Sequence, residues 1–170
     1  MYKEDDKTEP VNYYGKTKLE AEELVKDYEH GWSIVRTVMV YGKPILSRAN
    51  ILSIVKEKLE KGERYNVVDD QVRTPTYVED LAMGIVQIIE KKATGVYHLS
   101  GKDVMTPFEM ACKAADYLQL DKSLINRVTA ADFSQAARRP EKTGLNITKA
   151  RTELGFEPVS FEEGLKKMFS

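Results

Sequence analysis

Apolar and aromatic residues recur at helical spacing near the start of the chain. Since each helical residue turns by about 100°, five positions lie within about 40° of one line along the helix: Tyr14, Lys18, Ala21, Val25 and Tyr28. Most charged residues of this stretch fall on the other side. The pattern predicts a helix from about residue 12 to residue 30, ended by Gly31, with Tyr14 and Lys18 on its buried face. A lysine on an apolar face is unusual in a helix that serves packing alone.

The following stretches alternate between strand and helix patterns. Residues 32–40 are rich in β-branched side chains with little alternation, which predicts a strand covered on both faces, as in a parallel sheet. Helical spacing returns over 51–62, and a short extended piece follows at 65–68. Strands and helices in alternation are typical of an α/β layer.

The second half of the chain has clear boundaries between elements. Pro75 makes 69–76 a loop or an edge segment, because proline cannot donate to a sheet ladder. Thr106 and Ser160 each precede a glutamate by three residues, which is the pattern of a capping box at a helix start. The pattern predicts helices at 78–91, 107–118, 130–137, 148–154 and after Ser160, and strands at 95–101 and 125–129. One side of the helix 78–91 is expected to carry Leu81, Ile85, Ile88 and Ile89.

Composition narrows the class of protein. The chain of 170 residues is 42% hydrophobic and 31% charged, with a net charge of −1, as in an ordinary globular protein. This charge offers no electrostatic footprint for nucleic acid or an anionic membrane, and no apolar run approaches the ~20 residues of a membrane span. One cysteine and two histidines argue against a disulfide framework and a metal cluster. We therefore expect a cytoplasmic protein with no metal, nucleic-acid or membrane partner.

Tyr14 and Lys18 are the main candidates for chemistry. An ammonium one helical turn from a phenol favours the phenolate, and such a phenol passes a proton to or from a carbonyl oxygen during hydride transfer. The spacing alone carries no weight, since about one Tyr-x-x-x-Lys pair is expected by chance in this composition. The alternative is a structural pair, in which the lysine extends past a packed tyrosine to reach solvent.

Longer segments around this pair resemble a known family. Residues 12–22 are similar to the active-site helix of the extended short-chain dehydrogenase/reductase superfamily, in the branch of the dTDP-4-dehydrorhamnose reductases. Residues 4–12 resemble the loop before that helix, and residues 36–42 the strand and turn that pass the nicotinamide. Later landmarks keep the family order: Asp70-Gln71, Thr74-Pro75-Thr76-Tyr77, Asp80-Leu81-Ala82, Gly95 to Gly101, Arg138-Arg139-Pro140 and Gly144-Leu145. The resemblance extends over essentially the whole chain.

The resemblance implies a reductase of a nucleotide-activated 4-keto-6-deoxy sugar in dTDP-rhamnose biosynthesis, with NADP or NAD as cofactor. By that resemblance Tyr14 is the general acid for the sugar keto oxygen, and Lys18 holds the nicotinamide ribose and stabilises the phenolate. Val40 and Tyr41 then join this pair at the cofactor. The resemblance places five residues in the nucleotide-sugar pocket: Met39, Gln71, Arg73, Thr76 and Arg139.

The chain departs from the family in its glycines. The superfamily holds its dinucleotide on a Gly-rich turn, whereas no two of the ten glycines here are closer than six residues. We therefore expect the C-terminal part of a reductase, α/β in class: a portion of a Rossmann-type parallel sheet with the active-site helix at 1–62, and mainly a small α/β substrate-binding lobe at 63–170. Such a chain should be inactive alone and should not bind NADP or NAD tightly. Its uncovered sheet edges predict association, with a second copy or with a missing N-terminal half.

Other interpretations stay open from the sequence. One is a nucleotide-sugar epimerase or dehydratase of the same superfamily, against which Asp70-Gln71 and Thr74-Pro75-Thr76 argue. Another is a non-catalytic regulatory subunit resembling the methionine adenosyltransferase beta subunit, so whether the chain is an enzyme is undecided. Met39 also departs from the tryptophan common in rhamnose reductases, which loosens the assignment of the sugar. On chemistry alone a solvated surface is the commoner place for the arginines, a core position for His98 and inert packing for Cys112.

Overall fold

The computed structural model describes residues 1–44, 49–133, 137 and 139–170. Six α-helices occur in these residues: α1 (Tyr13–Lys26), α2 (Ile51–Glu60), α3 (Val78–Lys91), α4 (Pro107–Leu118), α5 (Thr148–Leu154) and α6 (Phe161–Phe169). The strands are β1 (Ser33–Arg36), β2 (Val40–Tyr41), β3 (Tyr65–Val68), β4 (Thr76–Tyr77), β5 (Gly95–His98) and β6 (Ile125–Val128). Short 3₁₀ turns lie at Lys122–Leu124 and Ala130–Asp132.

The strands form three two-stranded sheets, and all three pairings are parallel. β1 pairs with β5, β2 with β4, and β3 with β6. In the first pair Ile34 lies opposite Val96, and Arg36 lies opposite His98. The predicted α/β class with parallel strands is therefore confirmed.

Two hydrophobic clusters hold these layers together. The first lies among α2, α4, α6 and the β3–β6 sheet, and its largest fully buried members are Leu52, Val55, Met110 and Leu165. The second joins α3 and α5 to one face of the β1–β5 sheet, and it consists of Ile88, Tyr97, Leu99, Ile147, Ala150, Leu154 and Phe156, with Val35 and Leu81 against it. The second cluster crosses the predicted boundary at residue 62, because it contains residues of β1 and of later elements. The division into two units there stays a prediction.

Local signals account for most of the helix starts. The Thr106 hydroxyl accepts a hydrogen bond from the Glu109 amide, and the Thr106 amide donates one to the Glu109 carboxylate, so the capping box of α4 is confirmed. Ser160 and Glu163 form the same arrangement at α6. These caps satisfy amides that the first helical turn leaves unpaired.

Several predicted boundaries are wrong. The first helix ends at Lys26 instead of residue 30. Just after Lys26, the Tyr28 amide donates to the Val25 carbonyl and the chain leaves the helix. The strand predicted at 32–40 is broken after Arg36, and Met39 adopts a left-handed backbone with φ of 49°. The Thr76 amide then donates to the Met39 carbonyl, which directs the chain toward β4. The strand predicted at 95–101 ends at His98, and the helix predicted at 130–137 is a 3₁₀ turn over Ala130–Asp132, with 134–136 outside the described residues.

The predicted buried face of the first helix is also wrong. No residue of α1 is buried, and Tyr14 itself is 70% exposed. In α3, of the apolar residues expected on one side, Ile88 is buried, whereas Ile85 and Ile89 are exposed. The reason is the same in both helices, because no element in the described part of the chain covers these positions.

No helix among the described residues is both long enough and apolar enough to cross a membrane.

Candidate functional site

Tyr14 and Lys18 lie side by side at the start of α1. The Asn12 side chain caps the helix by accepting a hydrogen bond of 2.8 Å from the Gly15 amide, which holds Tyr14 in the first turn. The Lys18 ammonium lies 5.6 Å from the centroid of the Tyr14 ring. Both side chains are exposed, so the phenol and the ammonium are together and accessible to a ligand.

A cavity of about 490 Å³ opens beside this pair. Its lining includes Tyr14, Lys18 and Glu22 of α1, residues of the leading segment between Tyr2 and Asn12, Arg36 of β1, His98 of β5 and residues between Pro140 and Leu145. The cavity is therefore lined by phenols, an imidazole, three carboxylates and five cationic side chains: Lys3, Lys7, Lys18, Arg36 and Lys142.

Glu22 and Arg36 join α1 to the sheet. The guanidinium donates two hydrogen bonds to the carboxylate, with N–O distances of 2.8 and 2.6 Å, and both side chains are mostly buried. The hydrogen bond from Arg36 lowers the pKa of Glu22 despite its burial, and the same bond raises the pKa of Arg36. Glu22 lies one helical turn after Lys18, so this two-pronged bond positions the helix face that carries the Tyr14–Lys18 pair.

Glu4 and His98 continue the network on the other side of Arg36. The Glu4 carboxylate accepts a 3.1 Å hydrogen bond from the His98 amide, and the Glu4 carbonyl lies 3.4 Å from the Arg36 guanidinium. The His98 ring is fully buried, with Nδ1 at 3.2 Å from the Asn146 carbonyl and Nε2 without a hydrogen-bond partner in the described residues. Burial lowers the pKa of His98, which Glu4 partly offsets. Burial therefore favours the neutral form of this imidazole in the cavity lining.

Another group of predicted residues lies at the β2–β4 sheet. The hydroxyl of Thr76 donates to the Val38 carbonyl at 2.8 Å, and Val40 lies opposite Thr76 in the parallel pair. Met39 is half-buried against the first hydrophobic cluster. Tyr41 is buried between Tyr77 and Phe161, and burial raises the pKa of its phenol. The Tyr41 side chain thus belongs to the core, so its place at a cofactor stays a prediction.

Arg73 anchors the segment around Pro140, which lines part of the cavity. It is 6% exposed, and its guanidinium donates to the carbonyls of Val72, Pro140 and Glu141 and to the Gln71 side chain. Burial lowers the pKa of Arg73, and the charge of Arg139 adds to this effect. The alternative of a solvated surface therefore does not hold for Arg73, whereas Arg139 is exposed. Arg138 lies outside the described residues.

The structure brings some predicted residues together and leaves others apart. Tyr14 and Lys18 share the cavity, whereas Met39, Tyr41, Gln71, Arg73, Thr76 and Arg139 do not line it. Pro140 connects the two regions, because it lines the cavity and accepts a hydrogen bond from Arg73. The described residues contain no group of three or more acidic, histidine or cysteine side chains that could hold a metal ion.

The sequence interpretation missed Glu4, Glu22 and Arg36. A usable signal was present, since Arg36 stands in a strand of apolar and β-branched residues. A charge in such a strand needs a partner, because desolvation without one is costly. Glu22, one turn beyond Lys18 on the same helix face, is a candidate for that partner.

The parallel α/β architecture is that of Rossmann-type reductases. In a solved structure of dTDP-4-dehydrorhamnose reductase from Bacillus anthracis in complex with NADP, the match covers 99% of this chain and 58% of that chain, with a TM-score of 0.90 and 32% identity. An orthologue from Clostridium acetobutylicum matches with the same TM-score of 0.90 at 28% identity. The family model of the RmlD substrate binding domain matches residues 1–170. The chain belongs to this family, which confirms the resemblance seen in the sequence.

The curated relatives include a reductase and an adenosyltransferase subunit by name. Methionine adenosyltransferase 2 subunit beta of Bos taurus is 32% identical over 98% of this chain and 51% of its own length. The dTDP-4-dehydrorhamnose reductase of Aggregatibacter actinomycetemcomitans is 29% identical over 98% of this chain and 60% of its own length. The chain thus spans between half and three-fifths of the length of these relatives.

Proposed function

We propose that this chain carries the proton-transfer helix and the substrate-side part of an NAD(P)H-dependent reductase of a nucleotide-activated 4-keto-6-deoxy sugar, similar to dTDP-4-dehydrorhamnose reductase. The observation that carries the proposal is the Tyr14–Lys18 pair, with the ammonium 5.6 Å from the phenol ring beside an open cavity. The family match over residues 1–170 supports the same assignment.

In this proposal Tyr14 is the general acid. Bound NAD(P)H supplies the hydride, which goes to the carbonyl carbon of the sugar. The Tyr14 hydroxyl donates its proton to the keto oxygen, and the adjacent Lys18 ammonium stabilises the phenolate that remains. Glu22 and Arg36 are positioning residues, because they fix the helix that presents this pair.

The chain has donors for the ribose of the cofactor, but it lacks a Gly-rich turn for the phosphates. The exposed hydroxyl of Tyr14 and ammonium of Lys18 are suitable donors for the hydroxyls of a nicotinamide ribose. A Gly-rich phosphate-binding turn is missing from the 170 residues, whose glycines are never closer than six positions. We therefore expect the chain to need a further dinucleotide-binding part for tight binding and for turnover.

The nucleotide-sugar contacts are proposed on the Gln71–Arg73 side. The Arg73 guanidinium donates its hydrogen bonds to backbone carbonyls and to Gln71. It therefore stabilises the loop and does not extend toward a ligand. Arg139 is exposed one residue before the anchored Pro140, so its guanidinium is available for a diphosphate. In this proposal Met39 and Thr76, at the β2–β4 sheet, form the neighbouring wall of the nucleotide-sugar pocket.

The test compares two neighbouring tyrosines. The chain is expressed together with the part of the Bacillus anthracis reductase that it does not cover, and reduction of a dTDP-4-keto-6-deoxy sugar is followed by NADPH absorbance. Tyr14→Phe should lower kcat about 10²- to 10⁴-fold while NADPH binding, measured by calorimetry, stays largely intact. Tyr13→Phe, a similarly exposed position on the same turn, is the matched control. Equal turnover of the two variants would remove Tyr14 from its role.

A second candidate is a non-catalytic subunit that binds a partner enzyme. It is favoured by the 32% identity to methionine adenosyltransferase 2 subunit beta over 98% of the chain. This function predicts a stoichiometric complex with a methionine adenosyltransferase catalytic subunit and no reductase activity in the co-expressed assembly. An epimerase or dehydratase of the same superfamily has weaker support, because the similar UDP-glucuronic acid 4-epimerase structure is 23% identical and supports the fold alone. Product analysis separates it from a reductase.

A further inference from the structure

Glu4 is the inward-facing residue of the leading segment. Its side chain is 14% exposed, whereas every other residue from Tyr2 to Val11 is exposed. Its neighbours Lys3 and Asp6 line the cavity beside α1. A carboxylate normally stays in water unless a partner compensates for its desolvation. The burial of Glu4 therefore indicates that its contacts hold it against the sheet.

The first contact of Glu4 is with the backbone of β5. The amides of Gly95 and Leu99 donate to carbonyls at either end of β1, so the His98 amide, at an alternate position, points away from β1. The Glu4 carboxylate accepts a hydrogen bond of 3.1 Å from this amide. His98 is 1% exposed, and an unpaired amide in such a place costs about as much as a lost hydrogen bond. Glu4 therefore supplies an acceptor that β5 requires.

The second contact of Glu4 is with Arg36, which lies opposite His98 in the parallel pair. The Glu4 carbonyl lies 3.4 Å from the Arg36 guanidinium, which also donates to the Glu22 carboxylate of α1. The hydrogen bond with Glu22 raises the pKa of Arg36, and the charge of Glu4 adds to this effect. One guanidinium thus joins two elements that line the cavity, with Glu22 attaching α1 and Glu4 attaching the leading segment.

The leading segment ends against the first turn of α1. A Cβ atom on Gly15 would lie 3.1 Å from the Cβ atom of Pro10, so the segment contacts the helix at the residue that follows Tyr14. Pro10, Tyr14 and Gly15 all line the cavity. The path of the segment from Glu4 to Pro10 therefore sets the space beside the Tyr14 side chain.

We propose that Glu4 is a positioning residue for the ligand that binds beside Tyr14. It holds the leading segment against the sheet through the His98 amide and Arg36, and it thereby fixes the lining of the cavity without touching the ligand. The inference rests on the proposed function and divides it between two carboxylates, since Glu22 positions the proton donor and Glu4 positions the sugar substrate. Loss of Glu4 therefore weakens substrate binding and leaves proton transfer largely intact.

The first experiment measures the attachment of the leading segment in the chain alone, by amide hydrogen exchange. The reporter is the Asn146 amide, which donates to the Tyr2 carbonyl at 2.7 Å and is remote from Glu4 in the sequence. Glu4→Ala should speed its exchange by about tenfold or more, while the amides of α4 keep their wild-type rates. Glu4→Gln retains an oxygen acceptor for the His98 amide and should restore most of the protection. Asp5→Ala, at an exposed neighbour, is the matched control and should change neither rate.

The second experiment measures turnover in the co-expressed assembly used for Tyr14→Phe. Glu4→Ala should raise KM for the dTDP-4-keto-6-deoxy sugar by about tenfold and change kcat by less than about twofold, because it removes binding that substrate and transition state share. Glu4→Gln should bring KM back toward the wild-type value. A merely structural role would lower the yield of folded assembly without moving KM.

The outcomes separate this inference from the proposed function. A wild-type assembly without turnover, combined with faster Asn146 exchange in Glu4→Ala, overturns the proposed function and supports Glu4 as the attachment of the leading segment. Unchanged Asn146 exchange in Glu4→Ala, or an equal acceleration of the α4 amides, overturns the inference. A loss of kcat at constant KM, or a Glu4→Gln variant as impaired as Glu4→Ala, also overturns it.

Discussion

α1 and α4 are helices of similar length with opposite packing. α1 has 14 residues, none of them buried, whereas α4 has 12 residues, of which five are buried. Both begin with a capping side chain, Asn12 in α1 and Thr106 in α4. The caps and helical propensity therefore do not explain the difference. α4 packs against α2, α6, β3 and β6, while α1 is tied to the sheet mainly through a polar contact.

This difference shows that amphipathic spacing predicts a helix but not its neighbours. α4 finds its apolar partners within the chain, so its burial contributes to the stability of the isolated chain. The exposed apolar residues of α1 add little to that stability. Each prediction below tests this contrast between the two helices or the contacts that hold α1 in place.

The largest expected effect comes from truncation in the core of α4. Met110 is fully buried, so Met110→Ala should lower the free energy of unfolding by about 2–5 kcal/mol in urea titrations. Leu24→Ala, at a side chain of α1 that is 75% exposed, should change it by no more than about 0.5 kcal/mol. Similar losses in the two variants would mean that α1 is covered in the isolated chain.

An intermediate effect is expected for the bond that anchors α1. Glu22→Gln and Arg36→Met should each cost about 1–3 kcal/mol in urea titrations, because each leaves a mostly buried charge or polar group without its partner. The double variant should cost less than the sum of the two, since both changes remove the same bond. Glu20→Gln removes an exposed contact to Lys16 on the same helix and should cost less than about 0.5 kcal/mol. Additive losses would contradict a direct coupling.

The smallest effect is a pH dependence from His98. Burial lowers its pKa in the folded chain below the ordinary 6.5, so the unfolded chain takes up a proton first as the pH falls. The stability is full above about pH 6.5 and declines below it, by at most about 1.4 kcal/mol per pH unit. The facing charges are Glu4 and Arg36, and Glu22 loses its carboxylate contribution at more acidic pH.

The measurement is urea unfolding between pH 7.5 and pH 5.5, compared among variants. His98→Gln should flatten the profile in this window, even though it lowers the stability overall. His30→Gln changes the other histidine, which is exposed, and should keep the slope. A slope that persists in His98→Gln would assign the pH dependence to a different group.

Much of the secondary structure was predictable because its signals are local. The bounds of α3, α4, α5 and β3 agree with the pattern. At the start of α4 the signals are the Thr106 cap and Pro107, and at the end of α5 the signal is Gly155, all of which act within a few residues. The break in the strand at Met39 was not predictable, because it depends on hydrogen bonds to Thr76, 37 positions away. Likewise, the burial of Arg73 depends on carbonyls at Pro140 and Glu141 that no local pattern places beside it.

By itself the sequence determined the α/β class, the order of the elements and the family, and it placed Tyr14 one helical turn from Lys18. These properties depend on short-range spacing and on the order of motifs along the chain. The tertiary structure alone decided that α1 is exposed, that Glu22 reaches Arg36, and that Arg73 is buried against the carbonyls of Pro140 and Glu141. Burial and pairing depend on which elements meet in space, and that is a property of the whole fold.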